Sequence, residues 1–149
     1  MNDVPAPWAA RVFGTWIDLF VVGLPALVPV AFAMVTAEPS DIYGDDASHL
    51  TPAGVAAAWL AVVVYLALWS WNRYARQARE GQTVGKRRLG TRVVDAGTGD
   101  VPSGRRLLAR DVAHVLDVLP LCLGLLWPIG DRRGQTFADK LTGTVVVPA

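Results

Sequence analysis

Five side chains combine a chemically capable type with an apolar setting: Arg11, Asp18, Arg110, His114 and Asp117. Arg11 and Asp18 are seven residues apart. On a helix that is about 700° of rotation and about 10 Å of rise, so both lie on one face without reaching each other. Each then needs another partner, and Gly14 between them leaves room for a neighbouring backbone. Arg106, Arg110, His114 and Asp117 recur at spacings of four, four and three, which places them on one helical stripe. A charge facing lipid costs roughly 2.5–3.5 kcal/mol near the bilayer centre, so the two stripes should face each other. The expected pairing is Asp18 with Arg110, with Arg11 pairing nearer the interface. Two chemistries follow. The seam is either a polar path for protons or cations, with His114 and Asp117 as titratable members, or a buried ionic lock that fixes helix register. Arg11 alone reads mainly as an interfacial anchor. Asp18, deeper in an apolar run, most needs a functional account.

The elements that position these groups are apolar spans. Apolar residues make up 52% of the 149-residue chain and charged residues 18%, below the roughly 25% usual in soluble domains. Residues 12–35 carry one charge, Asp18, and residues 52–71 carry none. A 24-residue helix reaches about 36 Å against about 30 Å of hydrocarbon, so tilt or a kink at Pro25 or Pro29 should absorb the excess. The second span has Thr51 as N-cap, Pro52 at the first helical position, and Gly54, Ala58 and Ala61 as a small-residue stripe. Trp69, Trp71 and Tyr74 form an aromatic belt at its end.

Charge sets the orientation. The loop 37–51 holds Glu38, Asp41, Asp45 and Asp46 without a Lys or Arg, whereas the loop 72–105 is rich in Arg and Lys. The expectation is a cytoplasmic N-terminus, an external acidic loop and a cytoplasmic basic loop. Topology accounts for the basic charge, so nucleic acid is not an expected partner. Lys86, Arg87 and Arg88 are expected to meet anionic headgroups. The first apolar run is too long for a signal peptide's core, so no cleavable signal is expected. Cys122, the sole cysteine, is expected to be a small packing residue.

Residues 92–95 read as a strand, 96–100 as a turn, and 101–103 as a short returning edge; residues 144–147 are also strand-like and would add a third strand to this marginal hairpin if the C-terminus is cytoplasmic. The third apolar segment, 106–130, has basic residues on both flanks and a Leu119-Pro120 step near its middle. It is either a single kinked span or a broken, re-entrant hairpin. Gly85, Gly90 and Gly97 read as turn residues. The run from Gly81 to Lys86 lacks the spacing and the hydroxyl of a phosphate loop. No metal spacing and no nucleophile–base pair is evident. No cofactor is expected, and the chain is not expected to be an enzyme.

The stretch RVFGTWID from Arg11 to Asp18, the stretch GQTVGKRRLGTRVVD from Gly81 to Asp95, and QTFADKLTGTVVV from Gln135 to Val147 together resemble the RDD family of bacterial membrane proteins. The likeness covers nearly the whole chain from Arg11 onward. The resemblance implies that Arg11, Asp18 and Asp139 are the signature arginine and aspartates. It also implies a membrane location, and transport in some members, including sodium/proton exchange. If Asp139 acts together with Arg11, the C-terminus is cytoplasmic and the third segment re-enters. The expected architecture is an all-α membrane protein with two transmembrane helices, a broken or re-entrant third segment and a small cytoplasmic β-hairpin. It should lie multi-pass in the inner membrane as one domain over 1–149. Two functions remain open: ion or small-solute transport by a homo-oligomer, or an accessory or scaffold role beside a membrane-protein partner.

Overall fold

The computed structural model describes residues 4–39 and 48–149. Asp41, Asp45 and Asp46 of the acidic loop lie outside the described residues. The chain divides into two compact units, residues 19–69 and residues 1–18 with 70–149.

The first unit is apolar. Helix α1 (Trp8–Val35) enters it and runs through Pro25 and Pro29 without interruption. Strands β1 (Glu38–Pro39) and β2 (Ser48–His49) pair antiparallel. Helix α2 (Pro52–Ser70) follows, its first turn capped by Thr51 Oγ1, which accepts from the Gly54 amide at 3.1 Å. Gly54, Ala57 and Ala61 are the buried small residues of α2, one step away from the expected 54/58/61 stripe. Val22 is buried as well, but most large apolar side chains point outward: Val28 is 72% exposed, Met34 71% and Trp59 67%. In water such a surface would aggregate; in hydrocarbon it meets its own kind. Both long helices are apolar and long enough to cross a membrane.

The second unit has a largely polar interior, while its third apolar segment also turns large side chains outward, Leu121 at 90% and Leu119 at 71% exposed. Beyond α2 the chain passes through a π-helical turn (Trp71–Arg76) into α3 (Gln77–Glu80), closed by Gly81 at φ +71°. Short α4 (Val84–Arg88) is capped by Thr83 and leads into β3 (Thr91–Asp95). Then come α5 (Gly104–Ala113) and α6 (Val115–Val118), α7 (Leu123–Leu126) with a 3-10 turn (Trp127–Ile129), α8 (Phe137–Thr142) and β4 (Thr144–Pro148).

Three sequence expectations change here. Residues 101–103 form no strand. Pro102 has no amide hydrogen to give a ladder, and Ser103 instead caps α5. The partner of β3 is β4, antiparallel, with Thr91 opposite Pro148 and Asp95 opposite Thr144, so the sheet is a long-range pair and not a hairpin. The third segment is sharply bent, its arms 104–118 and 123–129 meeting at 109°, a geometry that suits a broken span or a re-entrant loop alike. Leu121 and Cys122 at the break have left-handed backbones, φ 52° and 63°. Cys122 is exposed there, not packed.

The apolar core of this unit is small: Ala6, Val93, Leu107 and Val146, with Tyr74 and Ala78 against it. Tyr74 thus packs inward and does not join an outer belt. Polar side chains fill the rest of the interior.

Candidate functional site

Three aspartates organise that interior, each almost or wholly inaccessible: Asp18 is 2% exposed, Asp117 0% and Asp139 0%. A buried carboxylate persists only where donors replace its water.

Asp18 sits on α1 and is held by groups from two other elements. Asn72 Nδ2 donates to Oδ1 at 2.9 Å, the Gly85 amide donates to Oδ1 at 2.7 Å, and Thr83 Oγ1 donates to Oδ2 at 2.6 Å. Asn72 Oδ1 in turn accepts from the Val84 amide at 2.9 Å. The expected Asp18–Arg110 pair does not form. Asp18 is satisfied by neutral donors, and Arg110 is engaged elsewhere. The room left by Gly14 is filled by Gly85: a Cβ added at Gly85 would lie 1.9 Å from the Gly14 carbonyl oxygen. Gly85 is therefore a close-approach residue within α4 and not a turn.

Asp139 lies in the first turn of α8. Arg110 Nε donates to its Oδ1 at 2.7 Å, Thr144 Oγ1 to the same oxygen at 3.0 Å, and Arg11 approaches Oδ2 at 3.5 Å. Thr136 and Asp139 form a reciprocal capping box that orients the carboxylate. Arg11 also donates to the carbonyl of Val146 at 2.9 Å and to that of Ala6 at 3.3 Å. Its side chain is 12% exposed, so it is a structural tie and more than an interfacial anchor. Burial works against ionised Asp139, but Arg110 and Arg11 outweigh it and hold the carboxyl below its ordinary value.

Asp117 accepts from the Phe137 and Ala138 amides at 2.8 and 3.3 Å, and from His114 Nδ1 across 2.6 Å. It thereby caps α8 from the third segment. Gly124 on the far arm of the bend packs against it: an added Cβ would stand 2.4 Å from the Asp117 Cα. Arg106, at the head of the stripe, pairs with Asp95 and donates to the carbonyls of Thr142 and Gly143. Arg73 and Asp111 form a two-armed pair at 3.0 and 2.5 Å.

The structure thus brings Arg11, Arg110 and Asp139 together, joins His114 to Asp117, and gives Asp18 a separate cradle. Asn72, Thr83, Thr136 and Thr144 escaped the sequence reading. The Thr-x-x-Asp pattern at 136–139 was the available signal.

Lys86 is also displaced from its expected place. It is 6% exposed, so it does not face headgroups. Burial, with Arg73 and Arg110 nearby, lowers its ammonium to about 7 despite Asp18 and Asp111.

The RDD family model matches residues 5–143. The chain is 33% identical to a "Proline-rich antigen" of Mycobacterium leprae (strain TN) over 102 residues, which is 68% of this chain and 41% of that protein. It is 33% identical to a "Proline-rich antigen homolog" of Mycobacterium tuberculosis (strain ATCC 25618 / H37Rv) over 150 aligned positions, which is 95% of this chain and 62% of that one. The chain spans about half the length of these relatives. No solved structure matches it. The three sequence motifs, the two apolar helices and this match agree: the chain belongs to the RDD family.

Proposed function

We propose that this RDD protein is an accessory membrane module: its apolar helices anchor it, and its ionic groups lock a small polar unit that meets anionic headgroups and a membrane-protein partner. The carrying observation is that Asp18, Asp117 and Asp139 are all buried and all occupied by donors of the same chain. Beyond Asp18, residues 19–35 and 52–70 carry no charge to continue a path. Paired groups of this kind fix geometry; they contribute modestly to stability until one partner is removed.

In this reading both chain ends lie in the cytoplasm, the bent third segment re-enters, and the loop 37–51 is external. The amide of Ala6 donates to the carbonyl of Val146 at 3.0 Å, which supports a shared side for the two ends. Compartment reporters fused separately to the N- and C-terminus should both report cytoplasm in the inner membrane of intact cells. An external C-terminus would overturn the polar unit, because neither this bond nor the Arg11–Val146 contact can cross a bilayer.

A second reading, ion or small-solute transport by a homo-oligomer, is favoured by one observation. Lys86 is a buried amine, able to lose its proton near neutrality, within the field of Arg73, Arg110, Asp18 and Asp111. Such a group beside a carboxylate is what a proton-coupled carrier uses.

A further inference from the structure

The basic side chains the polar core leaves unused converge on one cleft. It is an open cleft of about 580 Å³ lined by Ile17, Arg76, Val84, Arg87 and Arg88. Arg76 comes from the π-helical turn after α2, an irregularity that recurs at functional sites. Its guanidinium is prepositioned: it lies 5.8 Å from the ring centre of Trp71, and one arm reaches Glu80 at 3.4 Å. Yet its Nε is buried and has no hydrogen-bond partner. That nitrogen is closed to the cleft, so an anion there would be met by the terminal arms of Arg76 and by Arg87 and Arg88.

Charge says which acceptor. Glu80 is the one carboxylate within ion-pair reach of these arginines among the described residues, and it serves Arg76 at 3.4 Å and Arg87 at 3.8 Å. Three cations against one anion leave the cleft two positive charges in excess. Guanidinium groups present planar pairs of N–H donors that match phosphate oxygens. Ile17 and Val84 supply an apolar wall beside them.

We propose that this cleft binds a phosphate-bearing anion, supplied as a lipid headgroup or as free phosphate, with Arg76 and Arg88 as its principal donors. The proposal deepens the accessory reading by naming the chemistry that the polar unit recognises. Binding in detergent does not depend on membrane sidedness, so it can fail while the reporters succeed, or the reverse.

The test uses the purified full chain in a neutral sugar detergent with limiting phosphatidylglycerol, and counts lipid retained per chain by native mass spectrometry. Arg76→Gln with Arg88→Gln should lower the apparent affinity at least tenfold. A control, Arg79→Gln with Arg92→Gln, removes the same charge from exposed positions and should change it less than threefold. Matching circular dichroism and melting curves verify that both variants are folded. Should the cleft variant unfold, Arg76→Lys with Arg88→Lys keeps the charge without the planar fork and should still lose several-fold. Inorganic phosphate is then added as competitor. Displacement identifies a site open to free phosphate, and no displacement identifies the lipid as the source; either supports the cleft. Equal losses in the cleft and control pairs, or no loss in folded cleft variants, would overturn it.

Discussion

Asp139→Asn is expected to destabilise the protein by about 3–5 kcal/mol, the range for removing one member of a buried ion pair. The amide keeps the size and one acceptor oxygen but removes the charge that neutralises Arg110, at 2.7 Å, and Arg11, at 3.5 Å. Arg110 is buried and the Arg11 side chain only 12% exposed, so neither turns readily to water. The loss should also spread. Asp139 closes the α8 capping box and accepts from Thr144 at the start of β4, so β4 should loosen from β3. Heating in detergent, followed by size-exclusion recovery, should show a lower midpoint. Hydrogen exchange should rise first in residues 91–95 and 144–148. An unchanged midpoint would mean that the two arginines find other partners.

Gly85→Ala should cost roughly 3–5 kcal/mol, by overpacking together with a lost charged hydrogen bond. The added methyl would stand 1.9 Å from the Gly14 oxygen and 2.7 Å from its carbonyl carbon, and backbone cannot yield as a flexible side chain can. Separating α4 from α1 would also withdraw the Gly85 amide from Asp18, a bond of 2.7 Å. Gly23→Ala is the control, because nothing lies within 4 Å of its added Cβ. That change should be neutral, or stabilising by up to about 1 kcal/mol as a Gly-to-Ala replacement within a helix. The same melting assay reads both variants. Equal midpoints for the two would remove the close approach from the account.

These two sites show what was legible in the sequence. The apolar spans could be read from composition because lipid imposes a uniform demand along a whole helix. Pro120 marked the neighbourhood of the break but not its cause: Leu119 before it keeps helical backbone, and the chain turns at Leu121 and Cys122 instead. Gly14 pointed correctly to a close backbone approach, while the partner, Gly85, was misread as a turn, since nothing local separates the two roles. Pairing was the least legible. Helical spacing placed Arg110 and Asp18 on stripes but could not say that Asp18 would take neutral donors from residues 72, 83 and 85. Those contacts depend on how α4 folds back onto α1, across more than fifty residues of sequence. The β3–β4 pair was half legible: both strands and their association could be read, but the antiparallel register and the absence of the 101–103 edge could not, since no turn signal links the two segments. Asp139 met Arg11 where the resemblance put it, although neither periodicity nor spacing pointed there.

The claim at the centre of this account is that the buried charges are a lock and not a path. Flux through purified protein in sealed liposomes tests it most directly, under imposed sodium, potassium and proton gradients. The lock predicts flux equal to that of empty liposomes in every gradient. Under it, Asp18→Asn should lower the melting midpoint and leave flux at that same baseline. Flux above the baseline that Asp18→Asn abolishes, in a variant that still folds, would contradict the lock and make Asp18 part of a conducting path.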